Sequence, residues 1–284
     1  MRFQKVEGAG NDYVLVDAFD QRIEDPAALS RRISDRHEGI GSDGLLLIGP
    51  PRGPGAAAAM RMFNADGSEG LMCGNGLRCV VRWLVESGHA QGPEVRVETA
   101  SGLRRGRLLG AGRVELEMGV PDFNPGALPV SLPGDGRNPP ELPLAKDVAA
   151  ELAADPGVGL CVSIGNPHVV LRVAEPARID LARHGAALER APVFPEGANA
   201  HFVALRGADR IEARPWERGS GATRACGTGA VAIAAVAIRA GWVPAGRVAI
   251  GMPGGELSVG WDGQGPAWLE GPARLPFSGE WRGT

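Results

Sequence analysis

Lysine is almost missing from this chain of 284 residues, which carries only Lys5 and Lys146. A pyridoxal-phosphate enzyme needs a Schiff-base lysine and a phosphate site, and neither lysine stands near a convincing phosphate-binding glycine loop. Gly8-Ala9-Gly10-Asn11-Asp12 is a lone Gly-x-Gly, too little for a dinucleotide. A strong charge excess is missing as well. A net charge of −3 gives no reason to expect nucleic acid or an anionic membrane as partner. The longest apolar run, 230–238, falls far short of the about 20 residues that span a bilayer. The opening residues lack the apolar centre of a signal peptide, so a soluble cytoplasmic protein is expected. Four scattered cysteines (Cys73, Cys79, Cys161, Cys226) form no Cys-x-x-Cys or Cys/His spacing, and the five histidines are dispersed. No metal site is expected.

What the chain does have is 44% hydrophobic and 22% charged residues, enough to bury a core in two ordinary domains or one large one. Gly 43 and Pro 23 point to many tight turns. Two stretches organise the rest: Met72-Cys73-Gly74-Asn75-Gly76 and Ala225-Cys226-Gly227-Thr228-Gly229. Each places a cysteine and a Gly-x-Gly turn ahead of a helical pattern. The first runs through Leu77, Val80, Val81, Leu84 and Val85 to Gly88; the second runs through Val231, Ile233, Ala234, Val236 and Ile238 to Gly241. A cysteine at a helix N-terminus faces unpaired N–H groups and the positive end of the dipole, so a lowered thiol pKa is expected at both.

The spacing repeats. Asn11 to Gly44 and Asn166 to Asn199 are both 33 residues; Asn64 to Cys73 and Glu217 to Cys226 are both 9; Cys73 to Gly102 and Cys226 to Gly255 are both 29. Similar offsets with few shared identities read as an old duplication. Strands are expected at 13–16, 45–48, 60–63, 95–98 and 113–118, then at 169–173, 201–205, 211–213 and 248–250. Helices fit 26–34 and 180–189, and the Pro- and Gly-rich stretch 120–144 reads as the crossover. The expected fold is α/β, with two pseudo-symmetric domains. Each is a curved sheet or barrel around a central helix, and the active site falls in the cleft between them. The boundaries are 1–120 plus roughly 266–284, and 121–265.

Cys73 and Cys226, on matching frames, are the candidate acid–base pair, whereas Cys79 and Cys161 suit a core role. Backbone N–H groups at Gly74, Asn75, Gly227 and Thr228 can receive a carboxylate. Arg218 can clamp a carboxylate and Glu217 can receive an ammonium. Asn11, Asn64, Asn166 and Asn199 can add hydrogen bonds, and His168 is placed to tune a thiol. These residues point to cofactor-free proton transfer on a small substrate.

Five segments resemble the diaminopimelate epimerase family. They are Gly8-Ala9-Gly10-Asn11-Asp12-Tyr13, Phe63-Asn64-Ala65-Asp66-Gly67-Ser68-Glu69, Cys73-Gly74-Asn75-Gly76, Gly165-Asn166-Pro167-His168, and Glu217-Arg218-Gly219 leading to Ala225-Cys226-Gly227-Thr228-Gly229. The resemblance implies interconversion of LL- and meso-diaminopimelate in lysine and peptidoglycan synthesis, without cofactor, in a homodimer. It implies Cys73 and Cys226 as catalytic thiols and a carboxylate near Gly74, Asn75, Gly227 and Thr228. It further implies that Asn11, Asn64, Asn166, Asn199, Glu217 and Arg218 hold substrate, and that His168 and Glu217 adjust the thiols. Gly44 stands where the family often has Gln, and Ala222 where it often has Glu. Two rival readings stay open: a proline- or histidine-racemase-like enzyme on the same fold, and a non-catalytic amino-acid-binding or scaffold protein that retains it.

Overall fold

In the computed structural model, which describes residues 1–70, 74–128 and 130–283, the chain divides into two compact units. The first holds Met1–Glu117 and Glu270–Thr284, and the second holds Met118–Leu269. Cys73 lies outside the described residues.

The first unit contains β1 (Arg2–Gly8), β2 (Asn11–Asp17), α1 (Pro26–Ser34), β3 (Gly44–Gly49), β4 (Ala58–Asn64), β5 (Glu69–Gly70), α2 (Gly74–Glu86), β6 (Glu94–Thr99), β7 (Gly102–Gly110) and β8 (Arg113–Gly119). The second contains β9 (Glu141–Pro143), α3 (Lys146–Glu151), β10 (Val158–Ser163), β11 (Pro167–Arg172), α4 (Leu181–Glu189), β12 (Asn199–Leu205), β13 (Arg210–Glu217), β14 (Gly221–Ala222), α5 (Gly227–Arg239), β15 (Gly246–Met252) and β16 (Gly255–Trp261). β17 (Ala267–Pro272) follows, and β18 (Arg274–Glu280) pairs antiparallel with β1 in the first unit.

The duplication read from spacing is present as pairing. In the first unit β1 runs antiparallel to β2, β2 parallel to β3, β3 antiparallel to β4, β4 parallel to β6, and β6 antiparallel to β7. In the second unit β10, β11, β12, β13, β15 and β16 repeat that alternation in order. Each first parallel pair is joined through a short helix, α1 or α4. Asp25 caps α1 by accepting from the Ala28 N–H, with Pro26 at its first turn, and Asp180 caps α4 by accepting from the Arg183 N–H.

Each unit wraps its sheet around one 13-residue helix. α2 packs on β1, β2, β6 and β7 through Leu77, Val80, Val81 and Leu84. α5 is enclosed by β10, β11, β12, β15 and β16, and every residue from Gly229 to Ala237 is buried. A helix that is apolar all round needs such enclosure, and its alanines let strands approach from several sides. Cys79 and Cys161 are fully buried, as expected of core thiols. No helix among the described residues is long and apolar enough to cross a membrane.

Because Ile233 is fully buried inside that ring of strands, Ile233→Ala should cost about 2–5 kcal/mol through lost transfer energy and a cavity. A lowered urea midpoint with an unchanged slope is the outcome to look for.

Candidate active site

In the second unit the chain leaves β13 at Glu217, makes the short β13–β14 hairpin, and reaches Cys226 at the start of α5. Cys226 caps its own helix. Its Sγ accepts the Gly229 N–H at 3.2 Å, Thr228 Oγ1 lies at 3.5 Å, and its own N–H points to the sulfur of Met252 at 3.4 Å. The residue is 3% exposed. Glu217 accepts a hydrogen bond from the Thr223 hydroxyl, and burial raises its carboxyl above the usual range.

The expected fall of the Cys226 pKa is overturned. Burial pushes this thiol well above its ordinary value, and the Glu217 carboxylate pushes the same way; the hydrogen bonds from Thr228 and Gly229 oppose both without prevailing. Desolvation of the anion outweighs the favourable end of the helix because almost no water reaches the sulfur. Cys226 therefore rests as a thiol.

Around it, Asn199 is buried with both ends of its amide engaged. Its Nδ2 donates to the Pro167 carbonyl at 3.0 Å, and its Oδ1 accepts the Arg218 N–H at 3.0 Å. Arg218 Nη1 donates to the Glu196 carbonyl at 2.8 Å. Glu189 accepts from Trp216 Nε1 at 2.6 Å and from the Gly219 N–H at 2.9 Å, pinning the turn that carries Glu217 and Arg218. His168 is fully buried, with Nε2 2.9 Å from Asn166 Oδ1 and Nδ1 2.9 Å from His201 Nε2. Burial drives both imidazoles toward neutrality, His201 to about 3. Gly227 and Thr228 open α5, with N–H groups unsatisfied by the helix itself.

In the first unit the asparagines bind one another. Asn75 Nδ2 donates to Asn11 Oδ1 at 2.7 Å, Asn11 Nδ2 donates to Asp43 Oδ2 at 3.1 Å, and Arg78 Nη2 donates to Asn75 Oδ1 at 2.7 Å. Asn64 Nδ2 donates to Ser68 Oγ at 2.9 Å at the start of the turn into β5. Gly74 opens α2. Gly44 has a structural reason to be glycine, since a Cβ there would stand 2.2 Å from the Phe63 carbonyl oxygen across the β3–β4 pair. Ala222 sits exposed in β14, and nothing in the structure explains it in place of glutamate.

Sequence reasoning missed Glu189, Thr223, Met252 and His201. None stands in a motif, and each matters through a contact made by the folded chain.

The fold is shared with solved structures described as racemases and epimerases. A structure described as a predicted epimerase from Pseudomonas aeruginosa aligns with a TM-score of 0.70 at 18% identity, over 100% of this chain and 99% of its own. A probable proline racemase from Agrobacterium radiobacter aligns with a TM-score of 0.64 at 18% identity, over 98% and 92%. Such identities define the architecture alone. The finer assignment comes from sequence: the family model described as diaminopimelate epimerase matches residues 3–124 and 160–276. A diaminopimelate epimerase from Desulfovibrio desulfuricans is 41% identical over 99% of this chain and 98% of its own length. The chain belongs to the diaminopimelate epimerase family, and it is an amino-acid epimerase.

Two outcomes test this electrostatic account. Glu217→Gln removes the adjacent negative charge, so the Cys226 pKa should fall; the thiolate absorbance of the variant against that of Cys226→Ala measures it. An unchanged value would show that the carboxylate does not act on the sulfur. The second concerns stability. The pKa values of His168 and His201 lie below the ordinary 6.5 in the fold, so below that pH the unfolded chain binds protons that the folded one refuses. Stability is present above pH 6.5 and is lost as pH falls toward 3. The loss reaches about 1.4 kcal/mol per pH unit for each such histidine, read as a falling urea midpoint.

Proposed function

We propose that the protein interconverts LL- and meso-2,6-diaminopimelate by a two-base proton transfer between sulfur and the α-carbon. The reading is supported by family membership and by one observation, the buried Cys226 thiol at the start of α5 beside Glu217. Inversion of a stereocentre needs a proton removed from one face and another returned to the opposite face. We assign the two roles to Cys226 and Cys73, each the base in one direction and the acid in the other. Cys226, resting as a thiol, is the proton donor when Cys73 is the base.

The α-proton of an amino acid leaves only if the resulting charge is stabilised as it forms. We assign that stabilisation to backbone N–H groups at Gly74, Asn75, Gly227 and Thr228, which would hold the α-carboxylate and the developing carbanion. Asn11, Asn64, Asn166, Asn199, Glu217 and Arg218 hold the rest of the substrate, Arg218 through a carboxylate and Glu217 through an ammonium. Glu217 raises the Cys226 thiol, and His168 adjusts the thiol chemistry from its buried position. Both steps use side chains only, so no cofactor is assigned. A cytoplasmic location, a role in lysine biosynthesis and a homodimer complete the proposal. Light scattering of the purified protein tests the dimer, and a monomer at working concentration would remove it.

Incubation with LL-diaminopimelate in deuterated water should give meso product labelled at the α-carbon. Cys73→Ala and Cys226→Ala should each lower kcat by at least about 10²-fold. Turnover of proline or histidine in place of diaminopimelate would instead favour the racemase reading. Wild-type turnover in either cysteine variant would end the two-thiol assignment.

A further inference from the structure

His201 takes part in neither proton transfer nor any contact assigned to substrate, yet it is a fully buried polar side chain in the middle of β12. Parallel pairing sets His168 opposite Asn199 and Val170 opposite His201, so the two imidazoles share one face of the sheet two residues apart. Their rings stack at 5.1 Å with 23° between planes, and His201 Nε2 lies 2.9 Å from His168 Nδ1.

The direction of that hydrogen bond follows from its neighbours. Two neutral imidazoles carry one N–H and one lone pair each. Asn166 Oδ1 has no proton to give, so the 2.9 Å contact requires the proton on His168 Nε2. His168 Nδ1 is then an acceptor, and His201 must donate from Nε2. That leaves His201 Nδ1 as a bare lone pair, and this atom is buried without a partner among the described residues. An unsatisfied buried nitrogen is a cost that an aliphatic side chain at 201 would not carry. What the imidazole supplies in return is a donor to His168 Nδ1, which holds the tautomer that Asn166 Oδ1 needs.

The same ring has a second contact. A Cβ added to Gly229 would lie 2.4 Å from His201 Cε1 and 2.9 Å from its Nε2, so the imidazole edge fills the space beside that peptide. The Gly229 N–H is the group that donates to Cys226 Sγ. One side chain thus touches both the histidine that anchors Asn166 and the peptide that holds the thiol.

We propose that His201 is a positioning residue for the epimerisation: its Nε2–H locks His168 as the Nε2–H tautomer and so fixes the Asn166 amide, while its ring edge seats the Gly229 peptide under Cys226. The proposal rests on the reading that Asn166 holds substrate and Cys226 moves the proton. No bond is made or broken at His201, and no proton leaves it.

The test compares His201→Leu, which keeps bulk and loses the donor, with His201→Gln, whose Nε2 reaches the same place. In LL-diaminopimelate turnover the Leu variant should lose roughly tenfold in kcat/KM, and the Gln variant should recover most of it. Equal activity of both variants and the wild type would overturn the proposal, as would equal loss in both. A second readout needs no substrate. Nitrogen-15 NMR of the wild-type imidazoles should show His168 as the Nε2–H tautomer, and the Leu variant should lose that preference. A wild-type His168 found as the Nδ1–H tautomer overturns the assignment even if no variant folds. If the wild-type protein were inactive on diaminopimelate while the tautomer result held, the substrate reading would fail and the His201–His168 link would stand.

Discussion

A helix that begins within a sheet curved around it must find partners for the first-turn N–H groups it buries. α5 meets this constraint by using the side chain of its own N-cap, the Cys226 sulfur, for the Gly229 N–H. The rest of the second unit's site follows from that enclosed start. The N–H groups of half-buried Gly227 and Thr228 stay open to an anion, while the sulfur beside them is almost out of reach of water. For that reason the sulfur holds its proton. The dipole of a helix contributes a fraction of a charge, whereas burial removes the whole hydration of a thiolate. Glu217, itself raised by burial, adds repulsion of the same sign.

Family chemistry and this electrostatic state fit together. A proton donor to a carbanion should be neutral before the reaction and able to give up its proton when a negative centre forms beside it. A thiol pushed upward by burial meets the first condition. Hydrogen bonds from Gly229 and Thr228, which lower its pKa, meet the second. A more exposed cysteine at a helix start ionises more readily and suits the opposite role. The environment, not the residue type, divides acid from base.

Much of the architecture was legible because it depends on local periodicity. The apolar spacing of 77–85 and 231–238 lies within α2 and α5, and the helices expected at 26–34 and 180–189 match α1 and α4. The expected strands fall on β2, β3, β4, β6, β8, β11, β12, β13 and β15, with 169–173 running one residue past the end of β11. The two-residue strands β5 and β14 have no periodicity to read and exist only as partners of β4 and β13. The stretch 120–144 read as a plain crossover contains β9, whose three residues pair with β10. At the site, spacing offered candidate residues but not their states. The direction of the Cys226 pKa depends on burial and on the Glu217 carboxylate; the motif carries both residues but says nothing of how deeply the sulfur is buried. Gly44 shows the reverse case. It reads as the loss of a side chain, yet the carbonyl of Phe63 already occupies the place where that side chain would start.

The repeat adds a final argument about polar burial. By the shared offsets, Asn11 corresponds to Asn166, Tyr13 to His168 and Leu46 to His201. Both units keep the asparagine at the start of this frame, but they anchor it differently. In the first unit Asn11 is held by Asn75 and Asp43, which come from the helix start and from the approach to β3. The position equivalent to His201 is then free to be apolar, and Leu46 is fully buried there. In the second unit Thr228 occupies the place of Asn75, and its hydroxyl is turned to the sulfur at 3.5 Å. Asn166 must be held from the sheet instead, through His168, whose own proton has to be directed by a further donor. A buried histidine with one idle nitrogen is the consequence of moving that anchor from the helix to the strands. The same backbone frame thus tolerates leucine where the helix does the holding, and carries histidine where it does not.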